Sequence, residues 1–157
     1  MHRLVSQHIH SPIGGAVRLR ERAWRLPAGI CRHAAHRAQK PPFGKTLCLP
    51  HHPGENAHTR QAAVEIAEYF AGGRQCFTVV LHPVGSDFQR RVWAALRNIP
   101  YGTTTPTATR AVVAANGANT IAILTPCHRI IGKNGALTGY GGSIRRKAWL
   151  LAHERGG

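Results

Sequence analysis

The sequence predicts an α/β protein in two parts, an N-terminal α/β lobe over residues 1–82 and a mostly helical C-terminal lobe over 83–157. Three observations point there. Residues 59–73, "TRQAAVEIAEYFAGG", put Ala62, Ile66, Tyr69 and Phe70 on one helical face and end at Gly72 and Gly73. Two short apolar runs bounded by turn residues, "CFTVVLHP" (76–83) and "TIAILT" (120–125), read as strands. Three more helical segments follow residue 85.

The clearest of these is 86–100, "SDFQRRVWAALRNIP". Phe88, Val92, Ala95, Leu96 and Ile99 recur at helical spacing, Ser86 or Asp87 caps the start, and Pro100 stops the helix. "YGTTTP" (101–106) is a turn. "TATRAVVAANG" (107–117) is a short helix ending at Gly117. "GKNGALTGYGGS" (132–143) is a loop with five Gly. "SIRRKAWLLAHE" (143–154) closes the chain as a helix capped by Ser143, with Ile144, Ala148 and Leu151 facing inward. Arg90, Arg91, Arg97 and the run Arg145-Arg146-Lys147 read as solvated or phosphate-facing charge.

The first sixty residues read differently. Residues 16–40 are rich in Arg, His and Ala without a clean period, and 41–58 are punctuated by Pro and Gly. The segment 16–58 is therefore expected to be irregular and the N-terminal lobe incomplete.

Composition narrows the function. There are 21 Lys+Arg against 6 Asp+Glu and a sequence pI of about 11.4. Such a field attracts polyanions, of which nucleic acid is the common one. No apolar run reaches the roughly 18 residues that a membrane helix needs. "MHRLVSQHIHSPIGG" holds no continuous apolar core of a secretory signal. The four Cys (Cys31, Cys48, Cys76, Cys127) have no paired spacing, which points to free thiols in a reducing cytoplasm. Eight of the 11 His precede residue 60. The group Cys31, His33, His36, His51 and His52 is rich in ligand types but matches no strong zinc spacing, so no metal site is expected.

The chemistry concentrates at "TPCHRIIGKNG" (125–135). Cys127 ends an apolar run and opens a loop, where a scaffold presents reactive groups. A thiol of ordinary pKa, about 8.5, needs help to ionise, and His128 is a base within reach. A His base usually has a third group to orient it. Glu154 is the one acid after residue 100. On these residues alone Cys127 is a nucleophile, a metal ligand or a buried thiol.

"PCHRIIGKNGALTGYGGSIRRKAWLLAHE" resembles the active-site block of the alkylguanine-DNA alkyltransferases, the methylated-DNA–protein-cysteine methyltransferases. "FQRRVWAALRNIPYGTTT" and "TATRAVVAANGANTIAILTPCHR" resemble that family's DNA-binding element, and "SPIGG" and "AVEIAEYFAGG" are weaker echoes of its N-terminal part. The resemblance implies a ribonuclease-H-like N-terminal lobe and a winged-helix-like C-terminal lobe. It implies single-turnover transfer of an alkyl group from the oxygen at position 6 of guanine in duplex DNA to Cys127. No cofactor and no metal are called for, and the protein acts as a monomer. His128, through a water, takes the thiol proton, and Glu154 orients His128. Asn119 ties the helix-turn-helix to the active-site segment, and the Tyr140 hydroxyl donates to the purine. Arg110 enters the base stack as the target base flips out. Ala111, Ala114, Ala115 and Gly117 allow close approach to the minor groove, with Thr103 and Arg129 as further DNA contacts. The family has another helix between the segments matching "GTTT" and "PTATRAV"; here Thr105 meets Pro106 directly, so the first helix of the helix-turn-helix is missing. Rival readings are a DNA-binding relative with weak or no transfer, a truncated copy without function, and a Cys-His hydrolase.

Overall fold

The computed structural model describes residues 4–13, 16–22, 26–32, 51–54 and 56–156. It is a mixed α/β structure. Strands β1 (Leu4–His10), β2 (Ala16–Arg22), β3 (Leu26–Arg32) and β4 (His51–Pro53) form one sheet in the order β3-β2-β1-β4. β1 pairs antiparallel with β2 from Leu4↔Arg22 to His10↔Ala16, and parallel with β4. The expected irregularity of 16–58 is thereby corrected over β2, β3 and β4. Ladders are built from backbone N–H and C=O groups, which Arg and His supply as well as Val does. A missing side-chain alternation therefore hides a strand without preventing one.

Helix α1 (Ala57–Phe70) follows and lies against β1 and β2. It starts two residues before the predicted span because Asn56 and Thr59 cap each other. The Asn56 carboxamide accepts from the Thr59 N–H, and the Thr59 hydroxyl oxygen accepts from the Asn56 N–H, both at 2.9 Å. Its predicted face is the observed one: Ala62, Ile66 and Tyr69 are buried and Phe70 is half-buried. Ala62 and Ile66 pack with Val79, Ile121 and Leu124, which joins the helix to the segment leading into Cys127.

Residues 76–83 join no ladder among the described residues, contrary to the predicted strand. Buried Glu65 on α1 takes the N–H groups a neighbouring strand would have received. Its Oε2 accepts from Thr78 N at 2.9 Å and Val79 N at 3.2 Å. Burial opposes ionisation of this carboxyl. The hydrogen bonds from Thr78, Gln61 and the Val79 and Thr78 N–H groups outweigh it and hold the carboxyl below its ordinary value.

Helix α2 (Asp87–Arg97) is capped by Ser86 and starts with Asp87 against its positive end. Its buried residues are Trp93 and Leu96, with Val92 and Ile99 half-buried; Phe88 and Ala95, predicted inward, are exposed. Trp93 rotates the face because its indole spans to the next helix, where Nε1 donates to Ala115 O at 2.8 Å. β5 (Thr105–Thr107) then runs almost directly into α3 (Arg110–Gly117), with no helix between them. β5 pairs in parallel with β6 (Ile130–Gly132), Thr105 opposite Ile130.

Helix α4 (Ile144–Glu154) closes the chain, capped by Ser143 as predicted. Its inner face is corrected. Lys147, Leu150, Leu151 and Glu154 are buried, while Ile144 is 47% exposed and Ala148 is exposed. Of the expected inward residues only Leu151 is inside. The face turns because Lys147 and Glu154 both find polar partners inside. No helix among the described residues is long and apolar enough to cross a membrane.

Candidate active site

The site is built on a turn where a strand was expected. Residues 120–125 are β-branched and wholly apolar at their centre, yet they fold back on themselves. Asn119, itself buried, does this with one side chain: Nδ2 donates to Thr125 O at 3.0 Å and Oδ1 accepts from Ile121 N at 2.9 Å. Thr125 N closes the loop on Ile121 O at 2.9 Å. The cost is a buried Ile123 at φ 76°, a left-handed conformation that a β-branched side chain rarely adopts. Expected strand hydrogen bonds are replaced by the Asn119 amide, which fixes where the next residues emerge.

Those residues are Cys127–Arg129, a single 3₁₀ turn leading into β6. All three are buried. Cys127 is a thiol, 0% exposed, packed with Trp93, Leu96, Ala122 and Ile130. Tyr140 from the Gly-rich loop packs against the same cluster. That loop comes in close at Gly142, where a Cβ would sit 2.6 Å from the Tyr140 ring. Buried Asn116 on α3 links the two halves: its Nδ2 donates to Cys127 O and to Gly139 O, each at 3.0 Å.

The imidazole of His128 is fully buried and its Nε2 lies 2.7 Å from Glu154 Oε1. Burial is the largest influence on this ring and depresses its pKa below the ordinary value, although Glu154 pulls the other way. A neutral imidazole beside an ionised carboxylate must present its N–H there, so Nε2 donates and Nδ1 carries the lone pair. Nδ1 is buried and has no hydrogen-bond partner among the described residues. The arrangement is an oriented base with its acceptor nitrogen unused.

Glu154 is saturated with donors. Oε1 accepts from His128 Nε2, from Tyr69 Oη at 2.9 Å and from Arg129 Nη2 at 2.9 Å. Oε2 accepts from Arg129 Nε at 2.9 Å and from Gly102 N at 3.1 Å. Burial alone would raise the carboxyl, but the His128 and Arg129 hydrogen bonds and charge dominate and bring it to about 2. Gly102 is required for this approach. Its φ is +74°, and a Cβ there would lie 2.9 Å from Glu154 O.

Lys147 also lies close enough to the thiol to interact with it electrostatically. It is 0% exposed and its ammonium donates to Ile130 O and to Thr138 O, which fastens the Gly-rich loop to β6. Burial lowers its pKa, and the Cys127 sulfur opposes that by favouring the charged amine. The relation is mutual: an ammonium there favours the thiolate.

The structure thus brings together Cys127, His128, Glu154 and Tyr140, and gives Asn119 a defined role at the turn before them. The predicted DNA-facing residues divide. Arg110, Ala111, Ala114 and Gly117 are exposed on α3, and Thr103 is exposed with its hydroxyl donating to Pro100 O. Two expectations are corrected. Ala115 is buried against α2 and its carbonyl takes the Trp93 indole N–H. Arg129 is 5% exposed, turned inward onto Glu154 and Ile99 O, with its guanidinium 5.8 Å from the Tyr101 ring centroid, so it faces no external phosphate. Lys147 likewise leaves the solvated run assigned to it. Sequence reasoning missed Tyr69, Asn116, Gly102 and Lys147 as site residues. For Lys147 a signal existed: with Leu150, Leu151 and Glu154 it falls at i, i+3, i+4 and i+7. Of the Cys and His group weighed for zinc and not expected to bind it, His33 and His36 lie outside the described residues, as do the side chains of Cys31, His51 and His52.

Residues 87–156 match the family model described as 6-O-methylguanine DNA methyltransferase, DNA binding domain. The methylated-DNA–protein-cysteine methyltransferase of Mycolicibacterium paratuberculosis is 51% identical over 113 residues, covering 64% of this chain and 68% of that protein. The crystal structure of Mycobacterium tuberculosis O6-methylguanine methyltransferase superposes with a TM-score of 0.72 at 38% identity, covering 99% of this chain and 94% of that one. The structure of Mycobacterium tuberculosis OGT in complex with DNA gives a TM-score of 0.73 at 37% identity, covering 98% and 93%.

Proposed function

This chain belongs to the methylated-DNA–protein-cysteine methyltransferase family, and from that premise we propose that it repairs DNA by moving an alkyl group from O6 of guanine to Cys127. The observation that carries the assignment is the His128–Glu154 contact at 2.7 Å, with His128 Nδ1 lacking a hydrogen-bond partner among the described residues and Cys127 next to His128 in the same turn. Nδ1 takes the Cys127 proton through one water, and the imidazolium so formed is held by Glu154. The thiolate sulfur attacks the alkyl carbon, the carbon–O6 bond breaks, and the electron pair leaves with guanine. A thioether remains on Cys127, so each molecule turns over once and no cofactor or metal enters the step. Tyr140, packed in the Cys127 cluster, is assigned the wall facing the purine, where its hydroxyl donates to the leaving base.

DNA is the partner in this reading. The exposed α3, with Arg110 at its first position and small residues Ala111, Ala114 and Gly117 along it, is assigned to the minor groove, with Arg110 replacing the flipped base. The net charge of +15 supports capture of the phosphate backbone without sequence preference. We place a ribonuclease-H-like lobe in residues 1–82 and a winged-helix-like lobe in 83–157, the protein acting as a cytoplasmic monomer. A second reading is supported by one observation: β5 passes into α3 with no helix between them, so α3 lacks the partner a helix-turn-helix provides. In that reading transfer chemistry is intact and DNA handling is weak.

Duplex DNA carrying radiolabelled O6-methylguanine separates the two. Label on the wild-type protein and none on Cys127→Ser is the expected result. Label from free benzylated guanine but not from DNA supports the second reading, and no Cys127-dependent label from either overturns both.

A further inference from the structure

We propose that Tyr69 is a positioning residue for the site, its hydroxyl holding Glu154 Oε1 in place and tempering that oxygen's basicity toward His128. Tyr69 sits on α1, 85 residues from Glu154 in sequence, and no spacing pattern predicts the contact. Its side chain is 0% exposed and its hydroxyl donates to Oε1 at 2.9 Å, the same oxygen His128 addresses at 2.7 Å. The residue is fixed at both ends. Its carbonyl accepts from His153 Nε2 at 2.7 Å, and its ring packs edge-on against Phe70, Tyr101 and His153 at centroid distances of 5.2–6.1 Å. Burial is the main reason its phenol stays protonated far above any working pH, so it donates to Glu154 throughout.

The charged and titratable groups facing the His128–Glu154 pair come from every element around it. They are Arg129 on the 3₁₀ turn, Lys147 on α4, Tyr101 after α2, Cys127 beside His128, and Tyr69 on α1. Arg129 and Lys147 disfavour the imidazolium through electrostatic repulsion. Tyr69 acts differently: it competes with His128 for one carboxylate oxygen. Withdrawing that donor leaves Oε1 with more electron density for the imidazolium, which stabilises it. The proton acceptor for Cys127 is thus adjusted from helix α1. This inference rests on the role given to His128 above.

The test is Tyr69→Phe, which keeps the ring and removes one oxygen. His128 is followed by imidazole nitrogen NMR across pH, a readout that needs no alkyl transfer. Its titration is expected to move upward by about half a unit to one unit. The acid limb of the Cys127 labelling rate should move with it, while the alkaline plateau changes by less than about threefold. An unmoved His128 titration overturns the proposal, even with a lowered melting temperature, because packing alone would give that. Should Tyr69→Phe not fold, 3-fluorotyrosine at position 69 donates more strongly and must shift His128 downward; no shift or an upward one overturns the proposal. If wild type transfers no label, the function assigned above fails while the NMR result still decides the role of Tyr69.

Discussion

Arg129 grips both carboxylate oxygens of Glu154, Nε on Oε2 and Nη2 on Oε1, each at 2.9 Å. Neighbouring residues in the Cys-His-Arg turn therefore reach the same acid, His128 from one direction and Arg129 from another. Hydrogen bonds from His128 and from the Arg129 guanidinium together keep this acid ionised inside the protein. Glu154→Gln retains the shape and removes the charge. It leaves Arg129 buried without a counter-ion, for which a loss of about 3 kcal/mol in stability is expected by chemical denaturation. Alkyl transfer to Cys127 should fall by at least about 100-fold in the fraction that remains folded.

Arg110 and Arg129 should separate cleanly. Arg110 is exposed on α3 and Arg129 is buried on Glu154. Arg110→Ala is expected to leave the melting temperature within about 2 °C and to weaken DNA binding in a gel-shift or anisotropy titration, with a shallower salt dependence. Arg129→Met should lower the melting temperature markedly while the salt dependence of DNA binding stays unchanged. The reverse pattern would return Arg129 to the DNA surface.

Acid should destabilise the protein through Glu154 and His128, whose signs agree, and through Glu65, also held below its ordinary value. The Glu154 carboxyl is depressed to about 2 in the folded state against an ordinary value of 4.5, so its contribution is complete above 4.5 and is lost as pH falls toward 2. His128 is held neutral below its ordinary value of 6.5, so the unfolded chain binds that proton first, and stability declines as pH drops below 6.5. The melting temperature should thus fall from pH 7 to 5, then more steeply below 4.5. Glu154→Gln should flatten the lower part of the curve. A maximum near pH 4 would contradict both assignments.

Asn119→Ala removes both hydrogen bonds that close the 119–125 turn and leaves Thr125 O and Ile121 N buried without them. A loss of roughly 2–3 kcal/mol is expected. Because Cys127 follows directly, labelling should drop further than the unfolded fraction explains. Asn119→Asp tests the geometry from the other side: it can accept from Ile121 N but no longer donates to Thr125 O.

The four helices α1–α4, and the caps of α2 and α4, were legible in the sequence because those signals are local. Ser86 and Ser143 cap the helices they were expected to cap, and Ala62, Ile66 and Tyr69 face inward as their spacing requires. The Cys127, His128 and Glu154 set was legible through the motif that carries them. The two predicted strands failed for a shared reason: a buried polar side chain, Glu65 in one case and Asn119 in the other, satisfied backbone groups that β-branched residues would otherwise have given to a sheet. The inner face of α4 failed because hydrophobicity assigns Lys147 and Glu154 outward, whereas paired and hydrogen-bonded charges are stable inside.

By itself, then, the sequence determined where the helices lie and which cysteine, histidine and acid the candidate site brings together, since propensity, capping and motif act over a few residues. Only the tertiary structure decided how that acid is held. Glu154 binds Tyr69, Gly102, His128 and Arg129 from three separate segments, between 25 and 85 residues away. Contacts at that range form when the chain packs, because a buried carboxylate must collect donors wherever the fold delivers them.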